Sequence, residues 1–494
     1  MLARCSSMVM TGLECTKVEV EVDATRGQPS LIIIGLPNKA VDEAKERVSS
    51  ALQNCGVRIK SMRTIVNLAP AEVRKTSSAL ELAIAVGLLK LYGEITWRTD
   101  KTMFFGELSL DGSLKPVKGL LPMVLAAREM GVERIFFPET NQSEISVIEG
   151  VKFYPVRHLQ QLLAFEQQPI GVLKPQPYTH QPNEEVDIFS QMVGQEQAKR
   201  AIQIAAAGQH NLLLIGSPGA GKSMLARAMK SILPPLTKDE AIEVTKLYSI
   251  KGLAHQGLIT TRPFREPHHT TSSVGIIGGG ALLQPGEVSL AHRGILFLDE
   301  FPEYDKSVLE ALRQPMEDGK IAITRAVGTA EYPAQFMLVA AANPCPCGYQ
   351  FHDTKACRCS ENEVGRYQKK ISGPILDRID LQLKMRSIDP KRFAKHSFDT
   401  NQTALARELV AETQKIQLSR QGKTNAFLSY KELKQLKKAD DEVWNFLSGA
   451  AKKFLLSSRG YLKVLRVALT IADLEGHPKI KKKHAVEALA YRIN

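Results

Sequence analysis

The sequence is poor in several things that a chain of this size often carries. Aromatic residues make up 6% of its 494 residues and tryptophan occurs twice; nowhere are aromatics interleaved with lysine and arginine, as in a groove that stacks single-stranded bases. Cysteine occurs seven times, too sparsely for a disulfide framework. Cys5, Cys15 and Cys55 are scattered in the way of reduced thiols. No apolar run reaches the roughly 18 residues that a membrane helix needs. The start, MLARCSSMVMTGLECTKVEV, lacks the apolar core and cleavage site of a secretory leader. Internal repeats and low-complexity tracts are absent too, which argues against solenoids and fibrous arrays. The expectation is a cytoplasmic protein with no membrane partner.

What is present is ordinary in amount and uneven in placement. Hydrophobic residues at 44% and charged residues at 24% are those of a globular protein, and the length allows about three domains with cores of normal size. The net charge is +13, and Arg386–Asn494 alone holds 22 Lys and Arg against 11 Asp and Glu. A surface that basic favours a polyanion, nucleic acid first.

Four stretches follow from the pattern. Residues 1–165 alternate β-rich runs (KVEVEVD, LIIIGLP, RTIVNLAP, RIFFP) with helical ones (AVDEAKERVSSALQNCG, ALELAIAVGLLKLYG), as a mixed α/β domain does. Residues 166–188, rich in proline, read as an extended linker. Residues 189–388 form a second α/β region. Residues 389–494 are basic and helical, with the amphipathic runs NQTALARELVAETQKIQLSR and YLKVLRVALTIADLEG.

The chemistry begins at Gly216-Ser217-Pro218-Gly219-Ala220-Gly221-Lys222-Ser223, which follows the apolar run NLLLI and precedes the helical SMLARAMKSIL. That context is what a phosphate-binding loop requires: glycines let backbone N–H groups wrap a β-phosphate, and a helix start adds its positive dipole end. Lys222 then neutralises the β- and γ-phosphates and Ser223 ligates Mg²⁺. GILFLDE ends a buried-strand run in two acids, a costly arrangement unless they have a task. Asp299 is placed to hold Mg²⁺ and Glu300 to deprotonate the attacking water. FMLVAAANP ends at Asn343, a candidate γ-phosphate contact. Arg378, in GPILDRIDL, suits transition-state charge when supplied by a neighbouring subunit. Arg466, in a helical run of the basic region, is a candidate to reach back to the same nucleotide, with Arg459 as its competitor.

The order Gly194-Gln195, phosphate loop, Asp299-Glu300, Asn343, Arg378 and Arg466 resembles an AAA+ ATPase. RPFREPHHTTS, GGGALLQPGEVSLAHRGILFLDE and NPCPCG resemble its magnesium-chelatase-like branch, and the whole chain resembles the ComM/YifB family. The resemblance implies a hexameric ring with ATP and Mg²⁺ at subunit interfaces, and a DNA motor acting on branched recombination intermediates in natural transformation. GELSLDGSLKPVKGLLPMVLAAREMG and NLAPAEVRKTSSALELAIAVGLL are similar to the proteolytic domain of Lon proteases, with Ser78 or Ser77 near the nucleophile's place. The place of the Lon lysine falls on Leu121. A serine without its base is a poor nucleophile, so the expectation is a peptidase-inactive fold; Lys118 is the one stand-in. The implied fold class is therefore multidomain α/β: a Lon-protease-like α+β domain, an AAA+ core with a parallel sheet, and a helical lid.

Three further features invite assignment. Cys345, Cys347, Cys357 and Cys359 lie within fifteen residues and can close a structural, tetrahedral Zn²⁺ site. Two insertions are candidates to grip DNA, single-stranded, duplex or branched, through its backbone. One is a Gly-rich, mobile segment at 267–287 with an apolar tip at Val274-Gly275-Ile276-Ile277; the other is a hairpin at 319–333 with Lys320 and Arg325. His268-His269, lacking a third ligand, reads as structural. The alternatives to a DNA motor are a chelatase-type ATPase that remodels a protein partner, and an ATP-dependent protease. No small-molecule substrate beyond ATP is implied.

Overall fold

The computed structural model describes residues 2–492 except 36–37, 60–61, 72–77, 181–186, 255–256, 327, 351, 353–354 and 387–400. The boundary read at 388/389, and Ser77 with the side chain of Ser78, lie outside the described residues. The N-terminal region is built on a seven-stranded mixed sheet. Its long hairpin pairs Leu2–Thr11 with Glu14–Thr25 around a two-residue turn at Gly12-Leu13. In the second of those strands Val18, Val20 and Val22 are fully buried while Lys17, Glu19 and Glu21 face away, the period-2 pattern of a sheet with one covered face. The cover is the helix Glu81–Tyr92, apolar nearly all round and buried over almost its whole length. It comes so close that a Cβ on Gly87 would sit 2.6 Å from Val22 Cγ2.

The second region holds a five-stranded sheet in which every neighbouring pair is parallel: Phe264–Arg265, Ile295–Leu298, Met337–Ala342, Leu212–Gly216 and Leu381–Met385, in that spatial order. LLLIG, ILFL and MLVAAA do not alternate because both faces are covered by helices. Parallel strands end on the same edge, so Gly216, Leu298 and Ala342 deliver the residues that follow them to one crevice. Lys320–Arg325 and Gly328–Pro333 form the expected hairpin.

The C-terminal region is helical: Asn401–Gln421, Tyr430–Gln435, Asp441–Lys453, Ser458–Leu474 and Lys482–Ala490. Helix starts are marked by capping residues, Ser429 with Glu432 in a full capping box and Ser457 bonding the Gly460 N–H. Ser458–Leu474 is buried along nearly its whole length. It shares one apolar cluster with the helices Glu196–Gly208 and Lys222–Ile232 and with the sheet. Among the described residues no helix is long and apolar enough to cross a membrane.

The N-terminal and ATPase regions also share core. The Gly12-Leu13 turn reaches the middle of the 320–333 hairpin, where a Cβ on Gly12 would lie 2.6 Å from Ala330 Cβ. Met10 packs into apolar clusters on both sides.

Candidate active site at the carboxyl edge of the parallel sheet

Pro218 to Met224, Asp299, Glu300 and Ala341 to Asn343 line an open cavity of about 420 Å³. Gly219 and Gly221 take positive φ, +77° and +86°, which turns the loop sharply and leads into the helix beginning at Lys222. The Lys222 ammonium donates to the Gly216 carbonyl at 2.6 Å, to the Ser217 carbonyl at 3.2 Å and to Asn343 Oδ1 at 3.0 Å. Burial pulls its pKa down while Asp299 and Glu300 oppose the shift, so it is a weakly solvated cation ready to exchange those acceptors for phosphate oxygens. Ser223 Oγ donates to Asp299 Oδ2 at 2.8 Å. The hydroxyl and the carboxylate are thus together, as a shared Mg²⁺ needs.

Glu300 follows with φ of +50°, a left-handed conformation that a non-glycine residue adopts at a cost and that clusters at functional sites. Its Oε2 lies 3.2 Å from His269 Nδ1. The sequence reading gave His269 only a structural part. The signal for its place was strand order, since Phe264–Arg265 pairs directly with Ile295–Leu298, the strand that leads into Asp299-Glu300. Tyr304 holds the intervening chain, its hydroxyl donating to the Pro267 carbonyl at 2.5 Å.

Two arginines of the expected set stand outside this cavity, Arg378 being the one expected to act on a neighbouring subunit's nucleotide. Arg466 is not at this cavity: its Nε donates to the Leu428 carbonyl at 2.6 Å. Its helix crosses the opposite edge of the sheet, where Lys463 pairs with Asp380 at 2.8 Å. Five residues of strand span about 16 Å, so Arg466 does not reach the nucleotide of its own chain. Arg378 belongs to that far edge as well, its carbonyl accepting from Asn211 Nδ2 just before the Leu212 strand. Arg459 stands beside it; both guanidiniums bond Glu317. Of the pore candidates, Ile276 is fully buried in an apolar cluster and Ile277 packs against it, because Ser272 caps a short helix, Ser273–Ile277, that turns them inward. The exposed apolar side chains of that segment are Val274, at 43%, and Leu282, at 57%. Lys320 and Arg325 are exposed on the hairpin, Lys320 paired with Glu331 at 3.0 Å.

The four clustered cysteines converge. Cys345, Cys347 and Cys357 have Sγ atoms 3.4–3.6 Å apart, and all four lie within 4.8 Å of one another. A tetrahedron of thiolates about 2.3 Å from Zn²⁺ has edges of about 3.8 Å, so the set fits the ion. Backbone N–H groups of Arg358 and Tyr349 hold the Cys347 thiol down to about 6, while Cys345, through burial, and Cys359, beside the other thiols, are pushed up. The loop stacks on the phosphate loop: a Cβ on Gly348 would lie 2.6 Å from Pro218 Cδ. In the N-terminal region Leu121 is fully buried, and Lys118 lies along Gly252 of the ATPase region.

Three family models, all built on the ChlI subunit of magnesium chelatase, match in succession: subunit ChlI of Mg-chelatase over residues 20–141, magnesium chelatase subunit ChlI over 188–393, and its C-terminal part over 400–492. Competence protein ComM of Haemophilus influenzae is 39% identical over 99% of this chain and 97% of its own. YifB of Escherichia coli K12 is 38% identical over 97% and 95%. The chain belongs to the ComM/YifB family. A magnesium-chelatase 67 kDa subunit of Chlorobaculum parvum is 28% identical over only 32% of this chain and 23% of its own. The ComM/YifB chain described here is thus a magnesium-chelatase-like AAA+ ATPase by kinship as well as by its multidomain α/β build.

Proposed function

We propose that the chain is one subunit of a hexameric, ATP-driven DNA motor, a helicase or branch-migration translocase acting on recombination intermediates. One observation carries this reading. Lys222, Ser223, Asp299, Glu300 and Asn343 meet at one edge of the sheet, while Arg378 and Arg459 stand at the other. A triphosphate held at the first edge receives its arginines from an adjacent subunit, and that is the logic of a ring. Lys222 holds the β- and γ-phosphates, Asp299 and Ser223 hold Mg²⁺, Glu300 activates water and Asn343 contacts the γ-phosphate. Arg378 with Arg459 stabilises the charge that develops on transfer; Arg466 keeps a supporting place in the helix that carries Arg459.

DNA is gripped through its backbone by the 320–333 hairpin, with Lys320 and Arg325 on phosphate. The kinship to a protein named for competence supports a role in natural transformation in the cytoplasm. The Cys345, Cys347, Cys357 and Cys359 set holds a structural Zn²⁺ that stiffens the loop behind Pro218. The N-terminal region, 1–165, is Lon-like in fold and serves assembly instead of proteolysis. A second reading, remodelling of a protein partner as in a chelatase, is favoured by the names of the matching family models. Steady-state ATP hydrolysis with and without forked DNA separates the two. The motor predicts a severalfold stimulation that fades with salt; a flat response moves the assignment to the chelatase type.

A further inference from the structure

Arg378 and Arg459 come from distant parts of the chain, the turn after Gly373–Leu376 and the first turn of Ser458–Leu474. Each puts an Nη2 on the same atom, Glu317 Oε1, at 2.7 and 3.1 Å. One carboxylate between two guanidiniums leaves the trio with net positive charge. Two like charges at that range are unfavourable unless another anion joins them. The fork is anchored on one side and open on the other. The Arg378 side chain is only 12% exposed, with Nη1 donating to the Pro374 carbonyl at 2.7 Å, and its buried Nε has no hydrogen-bond partner among the described residues. Arg459 is 57% exposed and Glu317 42%. The neighbouring Arg313 is engaged separately, by Glu310 at 2.5 Å and by Ser372, so it does not compete for Glu317.

A phosphoryl group suits the open side. Its oxygens accept from two planar donors at once, and guanidinium forks match that geometry. We propose that Glu317 is a positioning residue: it presets Arg378 and Arg459 as a two-pronged receptor for the terminal phosphate held by the adjoining subunit. The inference rests on the composite site proposed above. Its physical content is preorganisation. Two long side chains are ordered when the chain folds, not at the moment of phosphoryl transfer.

The experiment is complementation in mixed rings. Glu317→Ala is expected to lower kcat about tenfold with KM for ATP unchanged. Mixing it equally with Glu300→Gln should give more activity than the two measured apart. The Glu317→Ala subunit keeps its own Lys222 and Glu300, and a Glu300→Gln neighbour supplies an intact fork. Glu317→Gln, which keeps an acceptor oxygen, should retain most activity. A purely structural defect in Glu317→Ala would not be rescued by mixing. The inference is overturned by a Glu317→Ala kcat equal to wild type, or by a low kcat that mixing leaves low while Arg378→Ala is rescued under the same conditions. If Arg378→Ala is not rescued either, the composite site itself fails, which is a different result. Should Glu317→Ala not fold, Glu317→Asp against Glu317→Gln carries the test, with the shorter acid expected to be the slower.

Discussion

The two edges of the five-stranded sheet use the same kinds of residue to opposite ends. At the carboxyl edge, Lys222, Ser223, Asp299, Glu300 and Asn343 surround open space. At the amino edge, His210, Asp380, Lys463, Thr470, Asn425, Asp473 and Arg420 bond one another in the interior. Lys463 Nζ lies 2.8 Å from Asp380 Oδ1, His210 Nε2 2.8 Å from Thr470 Oγ1, and Arg420 grips Asp473 through both oxygens at 2.6 and 2.8 Å. The first set borders open space; the second is closed in, with only the buried His210 Nδ1 lacking a hydrogen-bond partner among its members, and fastens the C-terminal helices to the sheet. Charge in a core therefore says little by itself. Whether the paired groups border open space or lie closed inside the core decides between a site and a staple.

Substitutions at the two edges should separate cleanly. The largest effect is expected from Glu300→Gln, which should keep nucleotide affinity and cut kcat by roughly 10³, with a melting temperature close to wild type. Comparable loss of ATP binding instead would blur the contrast. At the other edge, Lys463→Ala strands the Asp380 carboxylate in the interior and should cost about 3 kcal/mol of stability in denaturant titration. The folded fraction should still bind nucleotide.

Next comes the response to acid. Burial, only partly opposed by Asp380, holds the His210 imidazole down to about 4. Its folded pKa lies below the unfolded value of about 6.5, so the unfolded chain takes up the proton first and stability falls as pH drops from about 6.5 towards 4. Linkage gives a loss on the order of 2 kcal/mol at pH 5; His210→Asn should flatten that part of the pH–stability curve. The smallest effect is at the base. His269→Ala frees the Glu300 carboxylate from its imidazole and should raise DNA-free kcat severalfold, with KM for ATP within about twofold. An unchanged rate would make that pair incidental.

The carboxyl edge was legible because its evidence is contiguous. A two-face apolar strand followed at once by Gly-rich chain, by Asp299-Glu300 or by Asn343 states both the element and the end at which it delivers chemistry. The amino edge was not. Helical periodicity marks Arg459, Lys463 and Arg466 as neighbours on one helix, but it does not say which edge of the sheet that helix crosses, so Arg466 was expected at the nucleotide and lies away from it. Ile276 read as a mobile tip because glycines surround it; the Ser272 cap was the overlooked sign of a helix that buries it. Glu317 carries no local pattern at all, and only the meeting of two remote arginines reveals it. Nor does linear order disclose that Lys482 settles over the remote ring of Phe446.

The turn at Gly12-Leu13 bears on how this chain can be dissected. Because Met10 belongs to the apolar interior on both sides and Gly12 abuts Ala330, cutting between the halves strips oily surface from each. A fragment beginning near Phe189 should clump or lean on a detergent, whereas the two fragments made together in one cell should find each other and purify as a pair.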